Sequence, residues 1–281
     1  MSRRRTVMKS KKRYPAVHLI LVLFGIIMVF PFIWMILSSF KSVGEQMTLP
    51  VKVFPSNFKN IDNYRQALQA VPFVKLYLNT FLMIAGRCIC AVLFSSMAGY
   101  GFARFQFPGK NLLFTLVLVQ MMVPGQVFII PQYQMLSKLG MLNTVFALIF
   151  PGLVSAYGAF LLRQQYMSLP KELEEAAVLD GCNPWQTFTK VMFPITRSSI
   201  SALGVFTALF AWKDLMWPLI ANNDINKMSL APGLSVLQGV CMTNKGAMMA
   251  GSVIATVPMV ILYFIFQKQF MEGIAQSGIK G

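Results

Sequence analysis

Residues 174–194 read EEAAVLDGCNPWQTFTKVMFP. The chain has 281 residues, is 56% hydrophobic and carries only nine Asp and Glu. Four of those nine, Glu172, Glu174, Glu175 and Asp180, fall within nine consecutive positions here. Start and stop signals divide the segment. Ser168 and Pro170 predict a helix start with Pro in the first turn. Lys171 to Leu179 are good helix formers, and Gly181 sits where a left-handed helix end falls. Asn183-Pro184 supplies a cap and a first-turn proline, so a second short helix follows and is predicted to stop before Pro194. Leu173, Ala176, Ala177 and Asp180 share one face by their spacing, and Trp185, Phe188 and Met192 share another. A face of small residues admits a close neighbour. Two readings stand: an amphipathic pair lying on the bilayer, or a docking element that enters a cleft in a soluble partner. Acid-rich helices suit the anionic inner leaflet poorly.

The surroundings are those of a membrane protein. Charged residues are 12%, about half the share of a soluble domain, and mean hydropathy is +0.60. Six long apolar runs, each close to the roughly 20 residues of a helical span, lie at about 17–39, 79–101, 111–131, 144–162, 199–220 and 248–266. They lack the period-two alternation of barrel strands. The predicted fold is therefore all-α and polytopic, with six transmembrane helices and a cytoplasmic two-helix segment at about 168–194 between the fourth and fifth. A basic N-terminal tail (1–16), a membrane domain (17–270) and a C-terminal tail (271–281) complete the layout. The first run follows a charged stretch but is too long for a signal-peptide core and has no small-residue cleavage site after it. Fifteen Lys and Arg fall on the N-terminal side of the spans against eight on the other, which predicts both termini in the cytoplasm. That orientation places the acid cluster inside. It also makes anionic lipid, rather than nucleic acid, the simpler partner for a net charge of +16.

Chemistry is hard to find in the rest of the chain. One histidine, His18, can complete neither a metal set nor a Ser-His-Asp triad. The nearest fragment to a phosphate loop is PGKN at 108–111, which has Asn111 where Ser or Thr is required and Arg104 where the first Gly is required. Cys88 and Cys90 point apart on a helix, and the four cysteines read as small apolar fillers. The chain is thus not expected to be an enzyme, nor to hold a metal or cofactor of its own.

Glu175-Ala176-Ala177, Asp180-Gly181, Phe188 and Pro194 resemble the EAA motif of permease subunits of ATP-binding-cassette (ABC) importers. FPFIWMILSSFK (30–41), YGFARFQFPGK (100–110), LGMLNT (139–144), WKDLMWPL (212–219) and QKQFMEGIAQSGIKG (267–281) extend the likeness to the carbohydrate-uptake branch similar to the maltose-system MalG subunit. The resemblance implies a subunit without catalytic residues that forms half of the pathway for a sugar of oligosaccharide type. It implies a second permease, an ABC ATPase dimer that binds the ATP, and an extracytoplasmic solute-binding protein, all at a bacterial cytoplasmic membrane. It assigns ATPase coupling to Glu172, Glu175, Ala176, Ala177, Asp180, Gly181 and Phe188. The competing class, an ion-driven secondary transporter acting without an ATPase, lacks an acid deep in a span; Asp214 is peripheral on this reading.

Candidate pathway residues are Arg87, Pro124, Gly125, Lys213 and Asp214. Arg87 lies roughly 12 Å into the second span, where an ionisable group suggests function unless it snorkels. The family usually has a neutral polar residue at the position of Lys213, which either snorkels or lines the path. Pro124-Gly125 either breaks the third span at a solute site or is a plain packing kink. The segment 221–247, with Asn222, Asn223, Asp224, Gln238 and Gly239, reads as an outer polar loop that either engages the delivered sugar or its binding protein or is simply solvated. The glycine-containing tail is expected to be flexible alone and ordered by a partner, with Ile279 and Lys280 meeting the ATPase pair.

Overall fold

The computed structural model describes residues 15–278. The chain begins with α1 (Pro15–Ser39), which keeps Pro31 inside it. A loop carrying the short α2 (Val43–Gln46) leads to α3 (Asp62–Ala70) and then to the long α4 (Phe73–Arg104). Next come α5 (Lys110–Met122), a 3₁₀ turn at Gly125–Phe128 and α6 (Ile129–Lys138). The short α7 (Val145–Ile149) runs through a 3₁₀ turn at Phe150–Gly152 to α8 (Ala156–Ser168). The acid cluster forms α9 (Glu172–Leu179). It is followed by α10 (Pro184–Thr187), a π turn at Phe188–Met192 and α11 (Phe193–Ile195). The remainder is α12 (Arg197–Trp212), α13 (Met216–Ala221), α14 (Leu230–Val240) and α15 (Lys245–Gly278). Every regular element among the described residues is a helical one, and the polytopic all-α class follows from that and from their apolar length.

The helices α1, α4 and α15 are long and apolar enough to cross a bilayer alone. Three further pairs reach that length only across bends of 102°, 46° and 75°. The 102° bend falls at Pro124, where the ring removes a donor and pushes the preceding residue out of the helical region. α1 packs against α15 but stays exposed along most of its length, Leu19 and Met28 each to 68%. A helix that is apolar all round belongs in lipid or against another membrane subunit.

α4 is the axis, packed by α8, α12 and the short α7. Small residues set its distance from α8. A Cβ added at Gly99 would come 2.9 Å from the Arg163 amide nitrogen, and one at Gly158 would run into Ser95. Close backbone approach of this kind replaces hydrophobic burial as the glue between membrane helices.

Three sequence expectations change. The run predicted as span five ends at Trp212, turns over Lys213–Leu215 and restarts as α13, where Pro218 sits in the first turn and needs no donor. The segment 221–247, predicted as an outer loop, contains α14, whose Leu230, Pro232, Gly233 and Leu237 are buried. Pro232 again lies in a first turn, and the Leu230 amide donates to Thr80 Oγ1 at 2.8 Å, so α4 caps α14 from outside. Third, α15 continues to Gly278, so the stretch expected as a loose tail from 271 is helical to that point. No proline follows Pro258 in it, and each added residue costs little once a helix is under way. Ile279 and Lys280, like the basic tail before residue 15, lie outside the described residues.

Carboxamides close one end of the bundle. The Asn63 side chain donates to the carbonyls of Ser39 and Lys41, both at 2.8 Å. The Asn244 side chain donates to Asn63 Oδ1 at 2.9 Å and Gln66 Oε1 at 2.6 Å. Gln46 donates to Lys41 O and to Asn244 Oδ1, and accepts from the Gly246 amide. The opposite end carries α9 and α10.

Candidate coupling site and solute pathway

The turn between α9 and α10 forms as the sequence predicts. Gly181 has φ +81°, the Cys182 amide bonds to Ala177 O at 2.9 Å and the Gly181 amide to Val178 O at 3.0 Å. This paired pattern closes a helix at a left-handed residue. Asn183 then caps α10: its side chain accepts from the Gln186 amide while Gln186 accepts from the Asn183 amide. The helix start differs from expectation, because Ser168 ends α8 and donates to Gln165 O instead of capping α9. The second helix does not stop before Pro194. Its π turn, with the Phe193 amide reaching Phe188 O, adds a residue to the turn in which the proline ring would clash.

The faces are also redistributed. Ala177 is buried and Leu173 half-buried, whereas Glu172, Glu175, Ala176 and Asp180 are exposed. Leu179 at 88% and Val178 at 64% stand out among them. The outward face is therefore acidic with two large apolar side chains, not a stripe of small ones. Phe188 is not offered to a partner. It is buried, with its ring 5.1 Å from Tyr100 and 5.9 Å from Phe193, and Met192 is buried beside it. Trp185, 60% exposed, is the bulky residue left outside.

The socket that holds this segment is YGFAR, the end of α4. Tyr100 also packs edge-on to Tyr166 of α8 at 5.5 Å. Arg104 Nε lies 3.1 Å from Glu174 Oε2, and its Nη2 donates to Leu169 O at 2.8 Å. Arg163 sits over the Phe114 ring at 4.0 Å, tying α8 to α5. Sequence reasoning treated Arg104 as one more inside charge; its position at the end of a span, 70 residues before the acid cluster, was the available signal.

The pathway candidates separate into three places. Arg87 does not snorkel. Its Nη1 donates to Asp214 Oδ2 at 2.8 Å and its Nε to Leu148 O at 2.8 Å. The pair shows that Asp214 is not merely peripheral: it is held inward at the break between α12 and α13. A Cβ at Gly152 would strike the Arg87 stem, so that glycine gives the side chain its passage. Arg87 borders a cavity of about 610 Å³ between α4, α8 and α12, whose walls include Ser155, Tyr157, Phe206, Thr207 and Phe210. Lys213 leaves the cavity, stacks over the Phe210 ring at 4.5 Å and lines a separate recess with Trp212 and Leu230. Pro124 and Gly125 are exposed at the bend before α6 and do not border either space.

Two stretches singled out in the sequence, LGMLNT and WKDLMWPL, meet in space. Asn143, at φ +58°, accepts from the amides of Asn223 and Asp224, and Trp217 Nε1 donates to Ala147 O at 2.7 Å. Asn222 is fully buried and donates to the carbonyls of Thr144 and Lys227, so the expected sugar-facing role of that side chain gives way to a structural one.

Residues 91–275, from the middle of α4 through α15, match the family described as the binding-protein-dependent transport system inner membrane component. The chain belongs to that family. This permease is 34% identical to the arabinooligosaccharides transport system permease protein AraQ of Halalkalibacterium halodurans, over 91% of its own length and 92% of that protein's. It is 31% identical to the diacetylchitobiose uptake system permease protein NgcG of Streptomyces coelicolor, over 97% and 91% of the two chains. Its fold matches a chain from the crystal structure of a bacterial ABC transporter involved in import of the acidic polysaccharide alginate. The TM-score is 0.77 at 20% identity, covering 94% of the permease and 99% of that chain. The permease is thus a membrane component of a transport system that depends on a binding protein.

Proposed function

We propose that the permease is half of the membrane pathway of an ATP-driven importer for a sugar of oligosaccharide type, and that it takes ATPase movement through the α9–α10 segment. The observation that carries the reading is the outward face of that segment. Glu172, Glu175 and Asp180 surround the bare side chains of Val178 and Leu179, while the reverse face is fastened to α4 and α8. Exposed apolar side chains rimmed by charge suit a cleft in a soluble protein. Similarity to AraQ and NgcG, whose names give oligosaccharide substrates, supports the substrate class. The partners on this reading are a second, similar permease, a pair of ABC ATPases that bind the ATP, and a solute-binding protein on the far side. A bacterial cytoplasmic membrane with both termini inside agrees with the lysine and arginine bias and with Ser39 and Asn244 both bonding to Asn63 at the end away from α9. Ile279 and Lys280 are proposed to meet the ATPase pair. An ion-driven mechanism fits less well, since Asp214 is already neutralised by Arg87.

The test is to purify the permease from its native membranes, identify what copurifies, and assay uptake against a sugar panel. Copurification of an ABC ATPase with ATP-dependent uptake of an oligosaccharide is expected. Uptake that persists without any ATPase and follows an ion gradient would overturn the reading.

A further inference from the structure

Glu174 and Glu175 are adjacent in sequence and do opposite things. About 100° apart around α9, one turns to solvent and the other turns inward. The Glu174 side chain is 20% exposed and the Arg104 side chain 9%, so their contact is shielded from the water and salt that weaken surface pairs. Arg104 stands in the last turn of α4, where a cation suits the helix end, and Glu174 in the first turn of α9, where an anion does. The same carboxylate faces the Tyr100 hydroxyl. The remaining arm of the guanidinium holds Leu169 O, in the bend that joins α8 to α9. One side chain thus bridges the end of α4, the end of α8 and the start of α9. Among the described residues no other ion pair joins α9 to α4. The second helix of the segment is held differently, by Phe188 and Met192 in the aromatic socket.

We propose that Arg104 and Glu174 are a positioning pair for transport: they make α9 and α4 move as one body, so that displacement of the docked segment reaches the Arg87 cavity. This rests on the coupling role proposed above. Neither residue lies on the outward face, so removing the pair should leave docking intact and loosen transmission. An apolar contact would tolerate sliding; a shielded ion pair at 3.1 Å beside a hydrogen bond to Leu169 O holds the end of α4 to the start of α9.

The test uses the complete transporter with its ATPase and solute-binding protein in lipid vesicles. It compares wild type, Arg104→Gln, Glu174→Gln, Arg104→Lys and the exchange Arg104→Glu with Glu174→Arg. The readouts are ATPase bound per permease, ATP hydrolysis without solute, and solute-stimulated hydrolysis and uptake. The two glutamine variants should bind ATPase normally and keep unstimulated hydrolysis, but lose stimulation and uptake by about tenfold, within the range of allosteric coupling factors. The exchange should recover at least half of the loss, and Arg104→Lys less. The proposal is overturned if the glutamine variants match wild type, if the exchange only multiplies the two single losses, or if none of the variants accumulates, which would make the pair a folding contact. Failure of the coupling reading itself looks different: there the wild-type permease binds no ATPase.

Discussion

At its Phe73 end α4 stands beside a mesh of neutral carboxamides; at its Arg104 end it meets a single charged pair. In the mesh, Gln46, Asn63, Gln66 and Asn244 each use side-chain amide groups to bind segments up to 200 residues apart. Such bonds saturate one another and change little with salt or neutral pH, which suits an end that only has to stay assembled. At the other end the aromatic socket supplies adhesion while Arg104 and Glu174 add a charged tie between α4 and α9. The difference separates two kinds of damage. Substitutions in the mesh should cost stability first, and substitutions at the coupling end should cost function while the protein persists.

The largest stability effect is expected midway between the ends, where Arg87 meets Asp214. Asp214→Asn leaves a buried guanidinium uncompensated and should destabilise the purified permease by about 3 kcal/mol, read by denaturant unfolding in detergent. The double change Arg87→Met with Asp214→Leu should recover most of that stability yet still impair uptake. In the mesh, Asn244→Leu strips donors from Asn63 and Gln66 and should cost about 2 kcal/mol, with transport per surviving molecule nearly normal.

At the coupling end Gly181→Val forces a β-branched residue into left-handed backbone and should cost about 1 kcal/mol. Uptake should fall far more than membrane level does, which immunoblotting against transport activity will show. A variant that loses both in parallel would erase the contrast between the two ends.

The smallest effect concerns Glu45, in the loop after α1. Hydrogen bonds from Ser56 and Ser42 hold its carboxyl down to about 2 from an ordinary 4.5. A depressed carboxyl stabilises above its unfolded value and stops doing so as pH falls, so the loop should loosen between about pH 4.5 and 2. Protection of the Ser42 and Ser56 amides against hydrogen exchange, relative to the intrinsic rate at each pH, should fall as pH drops through that window, and Glu45→Gln should remove this change in protection.

Much of the fold was legible because its signals are local. Long apolar runs gave α1, α4 and α15, and Gly181 with Asn183-Pro184 gave the coupling turn residue by residue. What was hidden depended on partners distant in sequence. The inward face of α9 is set by Arg104, and the α12–α13 break by Asp214 meeting Arg87. The helix α14 read as a loop because Pro232, Gly233 and Gly239 look like breakers, although Pro232 is harmless in a first turn and Thr80 of α4 provides the cap. Phe188 was assigned outward for a similar reason: periodicity groups it with Trp185, but the π turn and Tyr100 draw it inside.

The coupling role of the α9–α10 face is tested most directly by placing a photo-activated cross-linking amino acid at Leu179, and separately at Asn223 near the opposite end, in the transporter purified with its copurifying ATPase. Leu179 is 88% exposed and Asn223 is also exposed, so both can react with a neighbour. The account predicts an ATPase adduct from Leu179 and none from Asn223. An adduct to the ATPase from Asn223, or none from Leu179 in a complex that retains its ATPase, would contradict it.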